Sequence, residues 1–246
     1  MTGFLWNSTN ETFLVTNWHN VTGLNSVNHR PNGTFCPTSL TLEFRVCLLK
    51  TNGQDLLTLR RREIRLYDEK GNPIWREHQL RSSIDLVVLH IPNALIGHGS
   101  IFCLNAVEFE NRWQPEIGAE CFVVGFPEGL SGPLYSPIWK RGSIASEPAH
   151  NHGTEPVFLI DTLGNEGLSG SPVIGESSGV FTPDPTGKMT GDSILGRWRR
   201  FIGVYSGRTS KEGVGFQLGR VWKPKLLDEI FEAGVPGHHP LINGRR

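Results

Sequence analysis

The stretch DTLGNEGLSGSPVIG, residues 161–175, sets a serine between glycines on a turn that joins two apolar runs. Small residues on both sides of Ser169 let the backbone fold tightly and bring its N–H groups to one point. Such a point stabilises a developing oxyanion. The fragment EGLSG occurs a second time, as residues 128–132 within GFPEGLSGPLYSP. The local motif therefore does not choose between Ser131 and Ser169, and an ordinary Gly/Ser loop satisfies it equally well. What surrounds each copy has to decide.

Composition removes several classes first. The chain has 246 residues, a formal net charge of zero and 37% hydrophobic content. Charge gives no case for a nucleic-acid partner or a membrane surface. The densest basic run, LRRREIR at 59–65, reads as a solvated strand or turn. No stretch approaches the length of a membrane span, and MTGFLWNSTNETF lacks the basic and apolar segments of a signal peptide. Cys36, Cys47, Cys103 and Cys121 form no CxxC pair and read as free thiols in a reducing, cytoplasmic compartment. NST, NET, NVT and NGT in the first 34 residues are glycosylation patterns that carry no meaning without secretion.

Short β-branched and aromatic runs recur between Gly and Pro turn signals: TFLVTNWH, SLTLEFRVCLL, CFVVGF and VFLIDT among them. Many short strands with turn punctuation predict an all-β sandwich or barrel. KPKLLDEIFEAG is the one convincing helix. Pro224 stands near its start, Leu226, Leu227, Ile230 and Phe231 share a face, and Gly234 stops it. The segment 175–200 reads as a long loop, functional or disordered. The tail from Val235 reads as frayed.

Two further signals join the serine. His19 ends the apolar run FLVTNWHNV. Asp85 opens SSIDLVVLHI, where a carboxylate at the mouth of a buried strand needs a partner, and a histidine Nδ1–H would supply one. Each taken alone is more simply structural. The order His, Asp, Ser matches chymotrypsin, whereas an α/β-hydrolase has Ser first, His last and G-x-S-x-G. Both serines follow Asp85, but Ser169 lies between the strand-like runs LIDTLGN and GSPVIG whereas Ser131 leads straight to Pro133, which selects Ser169.

In these segments and their order the chain resembles the trypsin-like (chymotrypsin-fold) serine peptidases, closer to their bacterial Deg/HtrA-like branch. GFLWNSTNETFLVTNWHNV is similar to the family's first hairpin and DLVVLHI to its aspartate strand. FLIDTLGNEGLSGSPVI is similar to the nucleophile segment. FIGVYSG and GVGFQL resemble the strands lining the specificity pocket. The resemblance implies two packed antiparallel six-stranded β-barrels with a C-terminal helix. The expected division is 1–110 carrying His and Asp, 111–235 carrying the nucleophile and pocket, and a tail at 236–246. A strand or helix preceding the first hairpin is expected to lie in a longer protein.

By the same resemblance Ser169 is the nucleophile, His19 the general base and acid, and Asp85 its orienting partner. The N–H groups of Gly167 and Ser169 form the oxyanion hole. Ser206 and Gly207 offer backbone to an extended substrate. Asp161 is structural and His90 core or edge. His150, His152, His238 and His239 lack the companions of a metal set, so no metal or other cofactor is expected. Leu168 replaces the family's zymogen aspartate, so activation by N-terminal cleavage is not expected. Asn20 replaces a disulfide cysteine.

Leu163 takes the place of the pocket floor and excludes the usual basic preference. Gly215 keeps the pocket open. Arg208 faces solvent or the pocket entrance, where it could meet an acidic side chain. The expected preference is an apolar or small residue before the scissile bond. The function implied is a serine endopeptidase acting on protein or peptide substrate, regulated by a partner protein or fused domain. The alternative is a catalytically silent peptidase-fold scaffold.

Overall fold

A computed structural model describes the whole chain except residues 52, 53, 98, 110–112, 183, 185, 187, 210–217 and 243–246. Alternating burial starts at once. Strands β1 (Phe4–Ser8) and β2 (Glu11–Thr16) pair antiparallel through Thr9 and Asn10, both at positive φ (51° and 64°). That is the two-residue turn whose twist suits a tight hairpin. β2 then pairs with β6 (Val87–His90), β6 with β5 (Trp75–Glu77), and β5 with β13 (Val235–Pro236) near the end of the chain. The result is a five-stranded sheet in the order β1-β2-β6-β5-β13. Strands β3 (Ser39–Thr51) and β4 (Gln54–Arg65) form a separate hairpin, with LRRREIR on its second arm.

The C-terminal half closes. β7 (Glu120–Gly125), β8 (Ile138–Ile144), β9 (Val157–Asp161), β10 (Pro172–Phe181), β11 (Ile194–Arg208) and β12 (Leu218–Trp222) form a six-stranded barrel, ordered β10-β11-β12-β9-β8-β7. Cys121 and Val123 of β7 and Ile144, Phe158, Ile160 and Val221 of its neighbours fill the interior. The expectation of two six-stranded barrels is thus met in one half only; in the other, β3 and β4 stand apart from the five-stranded sheet.

The two halves meet over a shared apolar cluster. Val15, Ile84 and Val88 from the sheet pack with Ile174, Val204 and Trp222 from the barrel. Fully burying one such aliphatic side chain contributes about 1.5–3 kcal/mol. Helix α3 (Lys225–Ala233) begins after Pro224, stops at Gly234 and lays Leu226, Leu227 and Ile230 onto this junction, as its spacing predicts. None of the described helices is long and apolar enough to cross a membrane.

Two expectations fail here. The segment 175–200 is mostly strand: β10 and β11 extend it as a long hairpin, with Val180, Ile194 and Leu195 exposed. Its arms project beyond the barrel, so neither face shows the burial contrast that marks a strand in sequence. The tail is not frayed over its described part. Gly237 N donates to Trp75 O at 2.8 Å, and the buried His239 places Nε2 3.0 Å from Thr22 O.

Glu77 explains why the tail docks. It is fully buried, and its Oε2 accepts from Trp18 Nε1 at 3.0 Å and Trp75 Nε1 at 3.3 Å. Arg81 Nη1 reaches Glu77 Oε1 at 2.9 Å and Pro236 O at 2.8 Å, linking this buried carboxylate to the chain end. Removing one side of a buried charge pair strands the other. Glu77→Leu should therefore cost about 3 kcal/mol or more, read as a lower urea midpoint at unchanged slope.

Candidate active site

β2 ends at Asn17, and the short helix α1 (Trp18–Thr22) follows at once, placing His19 in its first turn. Asn17 is buried and donates Nδ2–H to Asp85 O at 2.7 Å, tying this corner to the segment before β6. Asp85 is only 2% exposed, so its charge must be met by donors. Three are present. His19 N donates to Oδ1 at 2.9 Å, His19 Nδ1 lies 2.7 Å from Oδ2, and Ser206 Oγ donates to Oδ2 at 2.6 Å.

The short Nδ1 contact fixes the tautomer with the proton on Nδ1 and leaves Nε2 as an acceptor. Burial pulls the His19 pKa down. The charge of Asp85 and its hydrogen bond outweigh that, and the net position is above the ordinary histidine value.

The segment carrying Ser169 is held from behind. Leu168 is fully buried in the barrel core, where an aspartate would have no place. Gly170 N donates to Tyr205 O, and Tyr205 N to Ser171 O, both at 2.9 Å. Ser169 O accepts from Thr2 N at 2.9 Å and from Asn20 Nδ2 at 3.0 Å. Thr2 is itself buried. Its Oγ1 donates to Gly167 O at 2.7 Å and accepts from Phe126 N at 3.1 Å, while its carbonyl accepts from Thr16 Oγ1 at 2.8 Å.

Gly167 has φ +90°, and a Cβ there would sit 2.5 Å from Phe126 O, so only glycine fits. Glu166 O accepts from Glu128 N at 2.7 Å. In a trans peptide the carbonyl and the following N–H point in opposite directions, so this bond turns Gly167 N–H away from the 126–129 loop. Among the described residues neither Gly167 N nor Ser169 N finds an acceptor. The first EGLSG copy therefore braces the second through Glu128, while Ser131 stays exposed.

The structure thus brings His19 and Asp85 into direct contact and sets Ser169 beside them. Asn20, which follows His19, bonds to Ser169 O, and a Cβ built on Gly207 would lie 3.8 Å from Ser169 Oγ. Among the described residues Ser169 Oγ makes no hydrogen bond of its own. Ser206 enters through its side chain on Asp85, a role its sequence position did not signal.

Other expected residues fall differently. Leu163 is 61% exposed, two residues past the end of β9 and beside Gly164. Arg208 packs its Cγ and Cδ over Gly164. Gly215 lies outside the described residues. Asp161 ends β9 and is exposed; among the described residues its side chain makes no hydrogen bond to the Ser169 loop. His90 is an exposed strand end, its ring 5.5 Å from that of Phe13. Among the described residues no three His, Cys, Asp or Glu side chains cluster as a metal set.

Thr2, Asn17 and Thr16 escaped sequence reasoning, since a lone Thr or Asn before a strand carries no pattern. Thr2 gives a direct test. Thr2→Val keeps the shape and leaves Gly167 O and Phe126 N without their partner, each costing about 1–3 kcal/mol. Labelling of Ser169 by a fluorophosphonate should slow by about tenfold or more, and Thr2→Ser should restore it. An unchanged rate in Thr2→Val would remove Thr2 from any part in setting the loop.

A family model for the trypsin-like peptidase domain matches residues 1–181. No curated protein matches the chain significantly. Two solved structures of Rv3671c from M. tuberculosis are similar. The inactive form of a serine-to-alanine mutant shows 16% identity over 99% of this chain and 82% of that one, with a TM-score of 0.40. The active form of the protease shows 14% identity over 97% and 81%, with a TM-score of 0.41. With a domain model spanning most of its length, the chain belongs to the trypsin-like peptidases, hydrolases of the peptide bond.

Proposed function

We propose that the chain is a serine endopeptidase in which Ser169, His19 and Asp85 act as a triad. The observation that carries this is Asp85: buried, met by three donors, and bonded twice to His19, whose neighbour Asn20 bonds Ser169 O. Ser169 Oγ attacks the scissile carbonyl carbon as its proton passes to His19 Nε2. The carbonyl oxygen takes up negative charge and accepts hydrogen bonds from Gly167 N and Ser169 N. The C–N bond then breaks as His19 Nε2 gives its proton to the leaving amine. Water attacks the acyl ester, its proton passes to His19 and on to the departing Oγ, and the acid product leaves. The backbone at Ser206 and Gly207 pairs with the extended substrate.

The same proposal places the enzyme in a reducing compartment as a regulated module. Cys36, Cys47, Cys103 and Cys121 stand unbridged, in keeping with that setting. Regulation draws support from Ser169 Oγ, which has yet to engage His19; catalytic hydrogen bonds often tighten only with substrate. The same observation favours the alternative, a silent peptidase-fold scaffold.

A fluorophosphonate probe separates the two. Wild type and Ser131→Ala should label, and Ser169→Ala should not. Labelling that survives Ser169→Ala would sink the assignment, and a wild type that never labels, with or without peptide substrate, would favour the scaffold.

A further inference from the structure

Beside Ser169 the structure gathers hydrogen-bond donors that, among the described residues, have nothing to donate to. Tyr205 is 1% exposed, yet its hydroxyl finds no partner. Burial pushes its pKa up to about 12, with the charge of Arg208 opposing, so it remains a donor at neutral pH. A Cβ on Gly219 would lie 2.5 Å from Tyr205 Cε2, so the ring fills the space above β12. A Cβ on Gly164 would lie 2.5 Å from Tyr205 Oη and 2.5 Å from Arg208 Cγ. Both side chains therefore converge on Gly164, in the segment that leads to Ser169, and any side chain at position 164 would block them. Gly207, one residue before Arg208, is the backbone beside Ser169 Oγ.

Among the described residues the charges around this point do not cancel. Lys140 Nζ donates to Asn165 Oδ1, next to Gly164, and Asn165 Nδ2 donates to Glu128 Oε1 at 3.0 Å. Glu128 is thus the counter-charge for Lys140. Among the described residues Arg208 has no carboxylate partner. An apolar or small residue, the preference expected from Leu163, would leave the Tyr205 hydroxyl and the Arg208 guanidinium unpaired as the substrate excludes water. A carboxylate would satisfy both.

We propose that the residue preceding the scissile bond is acidic, its carboxylate pairing with Arg208 and accepting a hydrogen bond from Tyr205 Oη. This rests on Ser169 being the nucleophile, and on the substrate running past Gly207.

The test uses the full chain and fluorogenic peptides that differ only in that residue: Glu, Asp, Gln, Leu, Ala or Lys. Wild type should cleave after Glu or Asp at least about tenfold faster in kcat/KM than after Gln, and about a hundredfold faster than after Leu. Arg208→Ala should bring the Glu-to-Gln ratio to near one, and Arg208→Glu should turn the preference towards Lys. Tyr205→Phe should lower kcat/KM for both Glu and Gln, since both offer an acceptor, while leaving Leu unaffected.

A second measurement does not depend on catalysis. Ser169→Ala should bind a product peptide ending in Glu at least about tenfold more tightly than the same peptide ending in Gln, and Arg208→Ala in that background should abolish the difference. Cleavage that favours Leu or Ala, or a Glu preference that survives Arg208→Ala, would overturn the proposal while leaving the triad standing. Selective binding of the Glu peptide by Ser169→Ala, with no cleavage by wild type, would instead overturn the peptidase assignment and keep the acidic site. Equal binding of the two peptides would overturn the acidic site even where no cleavage is seen.

Discussion

Ser169→Ala is expected to lower kcat by about 10^6, and adding His19→Ala to it is expected to change kcat no further. In the proposed triad the two side chains share one proton. Without His19 Nε2 to accept it, the Ser169 hydroxyl is a poor nucleophile at neutral pH; without Ser169, His19 has no proton of consequence to take. Groups that act as a unit are lost together, so the effects do not multiply. What remains in the double variant comes from binding and from Gly167 N–H and Ser169 N–H, and amounts to about 10^3–10^4 over the reaction in water. That residue supplies an internal control. Thr2 touches neither Ser169 Oγ nor His19; it holds the carbonyls of Gly167 and Ser169 from behind. Thr2→Val should therefore lower the residual rate of Ser169→Ala as well. Strictly multiplicative losses for Ser169→Ala and His19→Ala would mean that the two do not share a step.

His19, Asp85 and Ser169 could be singled out in the sequence because each stands where an apolar run meets a turn, and because their order matches chymotrypsin and not an α/β-hydrolase. Gly167 could be singled out because a tight turn needs a residue free of Cβ, and its φ of +90° fits that. What surrounds them could not. Ser206 reaches Asp85 because the pairing of β11 with β12 shifts between Tyr205 and Arg208, and such a shift leaves no trace in a single sequence. Thr2 and Thr16 look like any threonines near a strand. The long β10–β11 hairpin hid because burial alone creates the alternation by which strands are recognised, and its outer arms are not buried. The tail hid behind Gly, His and Pro, residues that read as loop, although Trp75, Arg81 and Thr22 hold it.

Asp85→Asn is expected to lower kcat by about 10^4 with little change in stability at neutral pH. The asparagine Oδ1 can still accept from His19 N, and its Nδ2 can donate to Ser206 Oγ, so the corner keeps its shape. It cannot hold His19 in the same state. An amide N–H facing Nδ1 makes that nitrogen the acceptor and moves the proton to Nε2, where it blocks the transfer from Ser169. The pH profile carries a second signature. Burial lowers the pKa of His19, and Asp85 raises it by more. The acid limb of kcat/KM in the wild type should thus have its midpoint above about 6.5, the ordinary histidine value. In Asp85→Asn the raising influence is gone and burial remains, so any residual activity should show its acid limb at lower pH than the wild type. Stability runs the other way. Because the folded pKa lies above the unfolded one, the protonated pair stabilises the fold fully below about 6.5, and that contribution fades as pH rises through the folded pKa. The neutral His19 that the proposed mechanism requires is thus the form in which the ion pair no longer contributes. Wild type should gain activity and lose this increment over the same pH interval, and Asp85→Asn should lose the increment altogether. An acid limb left in place by Asp85→Asn would show that another group sets the pH dependence.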